Sequence, residues 1–361
     1  MQRRITLFLV FLFALLLSAV PAFAQDTLTV LCTPQEDWCV AMTQAFEAET
    51  GIRTNYVRLS SGEALARIRA SQDNPEFSVW WGGPVDTFIA AKEEGLFEAY
   101  ESPNAELIPA ELRDADSLWA GVYVGALGFC SNVQLLEELG VEAPASWEDL
   151  LNPALVGNIA MAHPATSGTA FTAFWTIVTL QADMLEAEEE GKGYDEDGAP
   201  TQEAIDKAFE YFTAFHNNVL QYTRSGSAPG RLAGQGEVAI SIIFSHDCTK
   251  FQIEGFEGIL KTTFAEEGTG YEIGGMAILA NAPEPEAARM WYDWALTAEA
   301  QEIGATVNSL QLPTNPKAAV PELSVNLSEV NLINYNFLAA GINRNALVER
   351  FDAEIAPRPT E

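Results

Sequence analysis

Basic residues are scarce in this chain. Lysine and arginine number 19 against 51 aspartates and glutamates. Most of the surface therefore repels nucleic acid and anionic lipid. It also repels anionic ligands at long range, so any anion site has to be built locally. The bland account of such a surface is adaptation to a saline medium. Histidine is scarcer still, at three residues, and none has metal-ligand spacing with the four cysteines, which argues against a zinc site. Apart from one N-terminal run, no segment is long and apolar enough to span a membrane. Several catalytic signatures are missing as well. "GTGYEIGG" is glycine-rich but lacks dinucleotide spacing and does not join a strand to a helix. There is no nucleophile elbow and no lysine-bearing phosphate loop. Serine, histidine and aspartate occur, but no spacing assigns a triad. No repeat is visible.

What is present begins with "MQRRITLFLVFLFALLLSAVPAFAQD". Arg3 and Arg4, an apolar core and the small-x-small site Ala22-Phe23-Ala24 have the order of a secretory signal peptide over residues 1–24. The alternative is a membrane anchor; the core is short for a span, and no lipobox cysteine is seen. Cleavage implies a periplasmic or extracellular protein. It leaves 17 basic and 51 acidic residues, a balance of 17 − 51 = −34, in a chain long enough for two lobes. An even cysteine count in an exported chain suggests disulfides. Cys32 and Cys39 are close in sequence and are expected to pair, which leaves Cys130 for Cys248. Free buried thiols are the alternative.

Apolar periodicity predicts an alternation of strand and helix. "DTLTVLCTP", "RTNYVRLS" and "EFSVWWGG" read as strands. "DWCVAMTQAFEAETG", "SGEALARIRAS" and "PVDTFIAAKEEG" read as the helices between and after them. Short joins argue for a parallel sheet covered by helices. A β-rich region follows at "LWAGVYVGALGFCSN", then "SWEDLLNPAL" as a helix and its exit. "GNIAMAHP" reads as a strand and "SGTAFTAFWTIVTLQADML" as an apolar helix. Glu186 to Pro200 is acidic without periodicity and reads as a solvated loop. "TQEAIDKAFEYFTAFHNNV" is an amphipathic helix, "EVAISIIFSHD" and "YEIGGMAILA" are strands, and "EPEAARMWYDWALTAEAQEIGA" is a helix. A late strand suggests that the chain returns to its first unit, with hinges near Val124 to Phe129 and Ile242 to Phe244.

The turn between "GNIAMAH" and "AFTAFWTIVTLQ" holds Ser167, Gly168 and Thr169. Free N–H groups and the dipole at a helix start attract anions, and Gly168 lets a ligand come close. These residues are therefore either an ordinary N-cap or an anion cradle. Ser60-Ser61-Gly62 also ends a strand and opens a helix. Trp80 and Trp81 point to opposite faces of their strand. One is expected in the core, and Trp81, nearer Gly82 and Gly83, is the candidate to stack on a ligand.

The segments "LTVLCTPQEDWCVAMTQAFEAETGI", "SVWWGGPVDTFIAAKEEGLFEAY", "SWEDLLNPALVGNIAMAHPATSGTAF" and "WYDWALTAEAQEI", in this order, resemble solute-binding proteins of ATP-binding-cassette importers. The likeness is to the branch with ferric-iron, thiamine, phosphonate and sugar-phosphate binders. It implies a type II periplasmic binding protein fold: two α/β lobes, each a mainly parallel sheet flanked by helices, with a ligand cleft between. The expected division is 25–125 plus about 260–300 for the first lobe, 126–259 for the second, and 301–361 as C-terminal helices packing on both. It further implies a monomer without catalysis or cofactor, delivering a small ligand to an inner-membrane permease. The resemblance places Ser60, Ser61 and Gly62 on the cleft and favours the cradle reading of Ser167 to Thr169. Ferric binders of the branch hold iron with adjacent tyrosines. This chain has nine tyrosines, no two adjacent, and Ser245-His246-Asp247 in that region. His246 and Asp247 suit sugar hydroxyls, and Glu272 adds an acceptor. Solvent-facing turn and strand-edge roles are the bland alternatives for these three. The expected ligand is a phosphate or phosphonate, including a sugar phosphate. The rivals are ferric iron held by a non-tyrosine set, a polyamine, and a secreted hydrolase using His246 and Asp247.

Overall fold

In the computed structural model, residues 27–359 are described, so the candidate signal peptide at 1–24 lies outside the described residues. The chain opens with strand β1 (Thr27–Cys32), helix α1 (Glu36–Thr50), β2 (Arg53–Arg58), α2 (Ser61–Ala70), β3 (Val79–Pro84) and α3 (Val85–Glu93). α1 turns Trp38, Cys39, Met42, Thr43 and Phe46 inward and stops at Gly51, whose φ of 75° suits glycine. β3 is buried at all six positions because helices cover both of its faces. Short β4 (Phe97–Glu98) and long β5 (Ala120–Asn132) follow, then α4 (Val133–Leu139). Next come β6 (Ile159–Ala162), α5 (Gly168–Glu188), α6 (Gln202–His216), β7 (Val219–Thr223), α7 (Ala228–Gln235), β8 (Ile240–Phe244) and α8 (Ser245–Phe251). The remaining elements are β9 (Leu260–Thr263), β10 (Tyr271–Leu279), α9 (Pro285–Ala295), α10 (Ala298–Gln301), β11 (Leu312–Pro313) and α11 (Phe337–Glu354).

The strands run in the order β2-β1-β3-β10-β5-β8-β6-β7. Parallel pairing is confined to β2-β1-β3 at one end and β8-β6-β7 at the other. β10 and β5 run antiparallel between them. β5 pairs with β10 through Ala126 and with β8 from Leu127, so it passes from one half to the other at that point. The chain returns after β9, which pairs with Phe129–Asn132 in the second half, to β10 in the first. The second crossing is therefore the stretch 264–270. Ile242 to Phe244, expected as hinge, lies wholly inside the second sheet because Leu127, Gly128 and Phe129 pair along it.

Two further expectations differ locally. "SWEDLLNPAL" forms two short 3-10 turns, Glu148–Leu151 and Pro153–Leu155, because Pro153 removes an N–H donor and starts a new turn. The acidic stretch is partly ordered. α5 continues to Glu188, and the Glu186 carboxylate accepts N–H bonds from Gly191, Gly193 and Tyr194.

The second half is held by a core that includes Phe171, Phe174, Trp175, Phe212 and Phe351. Phe351 comes from α11, whose other side lies on α3. A β-carbon on Gly341 would sit 2.5 Å from the Ile89 side chain, so only glycine permits this approach. Buried Arg344 of α11 pairs with Asp86 of α3 at 2.9 Å and donates to the Pro164 carbonyl at 3.2 Å. The C-terminal helix thus ties both halves. Disulfides join Cys32 to Cys39 and Cys130 to Cys248.

Candidate functional site

The turns after β1, β2, β3, β6, β7 and β8 meet where the halves face each other. They line a narrow, partly open cavity of about 60 Å³. The first half supplies Thr33, Gln35, Arg58, Ser60, Ser61 and Gly83. The second supplies Ser167, Gly168, Thr169, Ser227, His246 and Asp247. Tyr123, Glu272 and Gln311 line it from β5, β10 and the C-terminal stretch.

Two helix N-termini point into this space. α2 begins at Ser61, and Glu63 folds back to accept the Ser60 N–H at 3.3 Å. α5 begins at Gly168, and Ser167 Oγ accepts the Ala170 N–H at 3.4 Å. Capping uses a lone pair of the Ser167 hydroxyl and leaves its O–H free to donate, so cap and cradle are compatible roles. A β-carbon on Gly168 would lie 2.8 Å from Ser61 Oγ and 2.5 Å from Pro84, so the two tips touch across the cavity.

Arg58 stands beside them. Arg58 ends β2 and is held by Nε donation to the Pro34 carbonyl at 3.0 Å and by Nη2 to Ser225 Oγ at 3.4 Å. Burial lowers its pKa, opposed by the charges of Asp247, Glu36 and Glu63.

The other end of the cavity is rich in acceptors. Asp247 accepts from Gln35 Nε2, a bond that crosses between the halves. Burial raises its pKa to about 6 against that bond and the charges of Lys250 and Arg58. Glu272 is pushed well above the usual carboxylate range by burial, then by the charges of Asp247 and Asp86. Burial, with the Lys250 charge, lowers His246 to about 3, so its ring is neutral. Its 3.9 Å separations from Asp247 and Glu272 are therefore not ion pairs. His246 Nδ1 and Gln311 Oε1 are buried without a hydrogen-bond partner. A bound molecule with hydroxyl or amine donors would satisfy such atoms. Among the described residues no three His, Cys, Asp or Glu come together as a metal-holding group.

Eight sequence candidates line the cavity together: Ser60, Ser61, Ser167, Gly168, Thr169, His246, Asp247 and Glu272. Three do not. Trp81 is 2% exposed, edge-on to Trp38 at 5.0 Å and near Trp291. Alternation does turn Trp80 and Trp81 to opposite faces, but both faces are core, and Trp80 stacks on Phe88. Gly82 turns toward Pro34, and its neighbour Gly83 lines the space instead. Gly62 is sealed against the second half, its N–H donating to the Thr166 carbonyl at 3.0 Å. The sequence reading missed Arg58, though a rare cation at a strand end beside Ser60 was a usable signal. Thr33 and Gln35, after β1, had the weaker signal of a strand end. Tyr123 and Gln311 had none, since only the sheet pairing brings β5 and the C-terminal stretch here.

Two α/β halves joined by crossing strands around a narrow cleft, with helix tips and strand ends as its walls, define a two-lobed solute-binding protein. The chain belongs to the bacterial extracellular solute-binding protein family, whose model matches residues 41–328. It is 34% identical to an uncharacterized Haemophilus influenzae protein, over 92% of each chain. The periplasmic binding protein AfuA of Actinobacillus pleuropneumoniae, solved with exogenous fructose 6-phosphate bound, is 35% identical; the match covers 92% of this chain and 99% of AfuA at a TM-score of 0.82. The periplasmic binding protein P5PA is 30% identical over 91% of this chain and 99% of that one, at 0.79. Such proteins are the periplasmic ligand-capturing components of ABC importers. Among the described residues no helix is long and apolar enough to cross a membrane.

Proposed function

We propose that this protein captures a small solute with a phosphate or phosphonate head, a sugar phosphate foremost, and hands it to an ABC permease. The observation that carries this reading is the meeting of two helix N-termini, at Ser61 and Gly168, beside Arg58 in one partly open cavity. The N–H groups opening α5 and the hydroxyls at both tips suit a tetrahedral oxyanion, and Arg58 adds a charge-assisted contact. Neutral His246, Asp247, Glu272 and Gln311 take the donor-rich body of the ligand. The fructose 6-phosphate bound to the 35%-identical AfuA supports this choice. Cleavage of residues 1–24 delivers the chain to the periplasm as a monomer that binds without turning its ligand over. The lobes divide near Ala126–Leu127 of β5 and in the stretch 264–270, and closure about those two crossings traps the ligand.

Calorimetric titration with fructose 6-phosphate, inorganic phosphate, an alkyl phosphonate, ferric citrate and spermidine tests this. One-to-one binding of fructose 6-phosphate, without release of inorganic phosphate over hours, is expected. Binding of ferric ion or spermidine alone would overturn it, and release of phosphate would move the protein to the hydrolase class.

A further inference from the structure

Two ion pairs cross from one lobe to the other outside the cavity walls. Glu63 Oε1 accepts from Arg224 Nε at 2.8 Å and from its Nη2. Asp37 pairs with Lys250, whose Nζ also donates to the Val307 carbonyl at 2.9 Å. Both acids come from the first lobe, in the opening turns of α2 and α1. Both bases come from the second, after β7 and on α8. Each pair is rooted beside cavity residues: Glu63 follows Ser60 and Ser61, Asp37 follows Gln35, and Lys250 shares α8 with His246 and Asp247. Glu63 does two things at once. Its Oε2 takes the Ser60 N–H, and its Oε1 takes Arg224.

This placement matters in a chain of such negative charge. Two acidic lips would repel and hold the cleft open. Here acids on one lip meet bases on the other.

We propose that Glu63–Arg224 and Asp37–Lys250 form a two-point electrostatic latch. It biases the ligand-free protein toward the closed form and slows ligand escape, with Glu63 coupling closure to the order of the Ser60–Ser61 turn. The proposal rests on the lobe-closure reading. Its first readout, however, needs no ligand.

The test is small-angle scattering of ligand-free protein at low and high salt, comparing wild type with the double variant Asp37→Asn, Arg224→Gln. Both altered side chains are more than two-fifths exposed, and Lys250, itself buried, keeps its bond to the Val307 carbonyl; far-UV circular dichroism of the variant checks that it folds. Wild type at low salt should be more compact than the variant, and should expand with salt while the variant does not. Pairs with one partner at the surface and one drawn inward shift such an equilibrium by about three- to tenfold together. The dissociation rate of fructose 6-phosphate should rise by the same factor, and Arg224→Lys should restore it. Identical profiles with identical salt response would overturn the latch. If fructose 6-phosphate fails to bind wild type, the proposed ligand class falls, while the scattering still decides the latch.

Discussion

Ser61 and Gly168 stand opposite each other across the cavity, so close that a β-carbon on Gly168 would come within 2.8 Å of the Ser61 hydroxyl oxygen. Each opens a helix, so two positive dipole ends face each other there. Like ends repel unless an anion sits between them. On the proposed function, an anion bound at these tips would also link the two lobes.

Replacing Gly168 with alanine tests that relationship. The added carbon meets Pro84 and Ser61, which belong to the other lobe, so it obstructs closure and not folding. The melting temperature without ligand should stay within a few degrees. The rise on adding fructose 6-phosphate, which follows mass action, should be largely lost.

Arg58 should contribute one to two powers of ten in affinity. Charge-assisted hydrogen bonds are worth about 1.5–3 kcal/mol. Titration of Arg58→Gln should show that loss. Arg58→Lys should recover only part of it, because an ammonium cannot reproduce the fork to Pro34 and Ser225. Equal affinities for wild type and Arg58→Gln would remove Arg58 from the site.

Asp247 predicts a pH dependence with a definite sign. Folded, it binds its proton near pH 6; its ordinary value is 3.8. Between those values the folded form holds more protons than the unfolded one, so stability falls as pH rises through the window and levels off above it. A shift of this size corresponds to about 2–3 kcal/mol. Chemical denaturation of ligand-free protein at pH 4, 5, 6 and 7 should show wild type losing stability relative to Asp247→Asn with rising pH. Parallel curves would contradict the buried state of this carboxyl.

The disulfides should differ in weight. Cys32 and Cys39 are separated by 7 residues, Cys130 and Cys248 by 118. By loop-closure entropy the first is worth about 2–3 kcal/mol and the second nearly 5. Denaturation of the two double-serine variants should preserve that order. The short loop carries Thr33 and Gln35 on the cavity wall, so opening it should also weaken ligand binding.

Much of the fold is legible locally. Trp38, Met42 and Phe46 recur at helical spacing, and they are the buried face of α1. Strand-to-helix turns rich in serine and glycine mark Ser60–Ser61 and Ser167–Thr169, and both lie at the cavity. Trp81 shows where local reasoning stops. Alternation predicts which face a side chain takes, but not what covers that face. Here α1 and α9 bring Trp38 and Trp291 over it.

By itself the sequence determined the alternation of strand and helix, the serine- and glycine-rich helix starts, and the acidic surface, because each depends on residues within a few positions of one another. Tertiary structure alone decided that the tips of α2 and α5 meet, that Arg58 joins them, and that Tyr123 and Gln311 close the wall. Those contacts depend on where β5 and β10 cross between the sheets, and the energy that fixes a crossing is spread over packing between segments far apart in the chain.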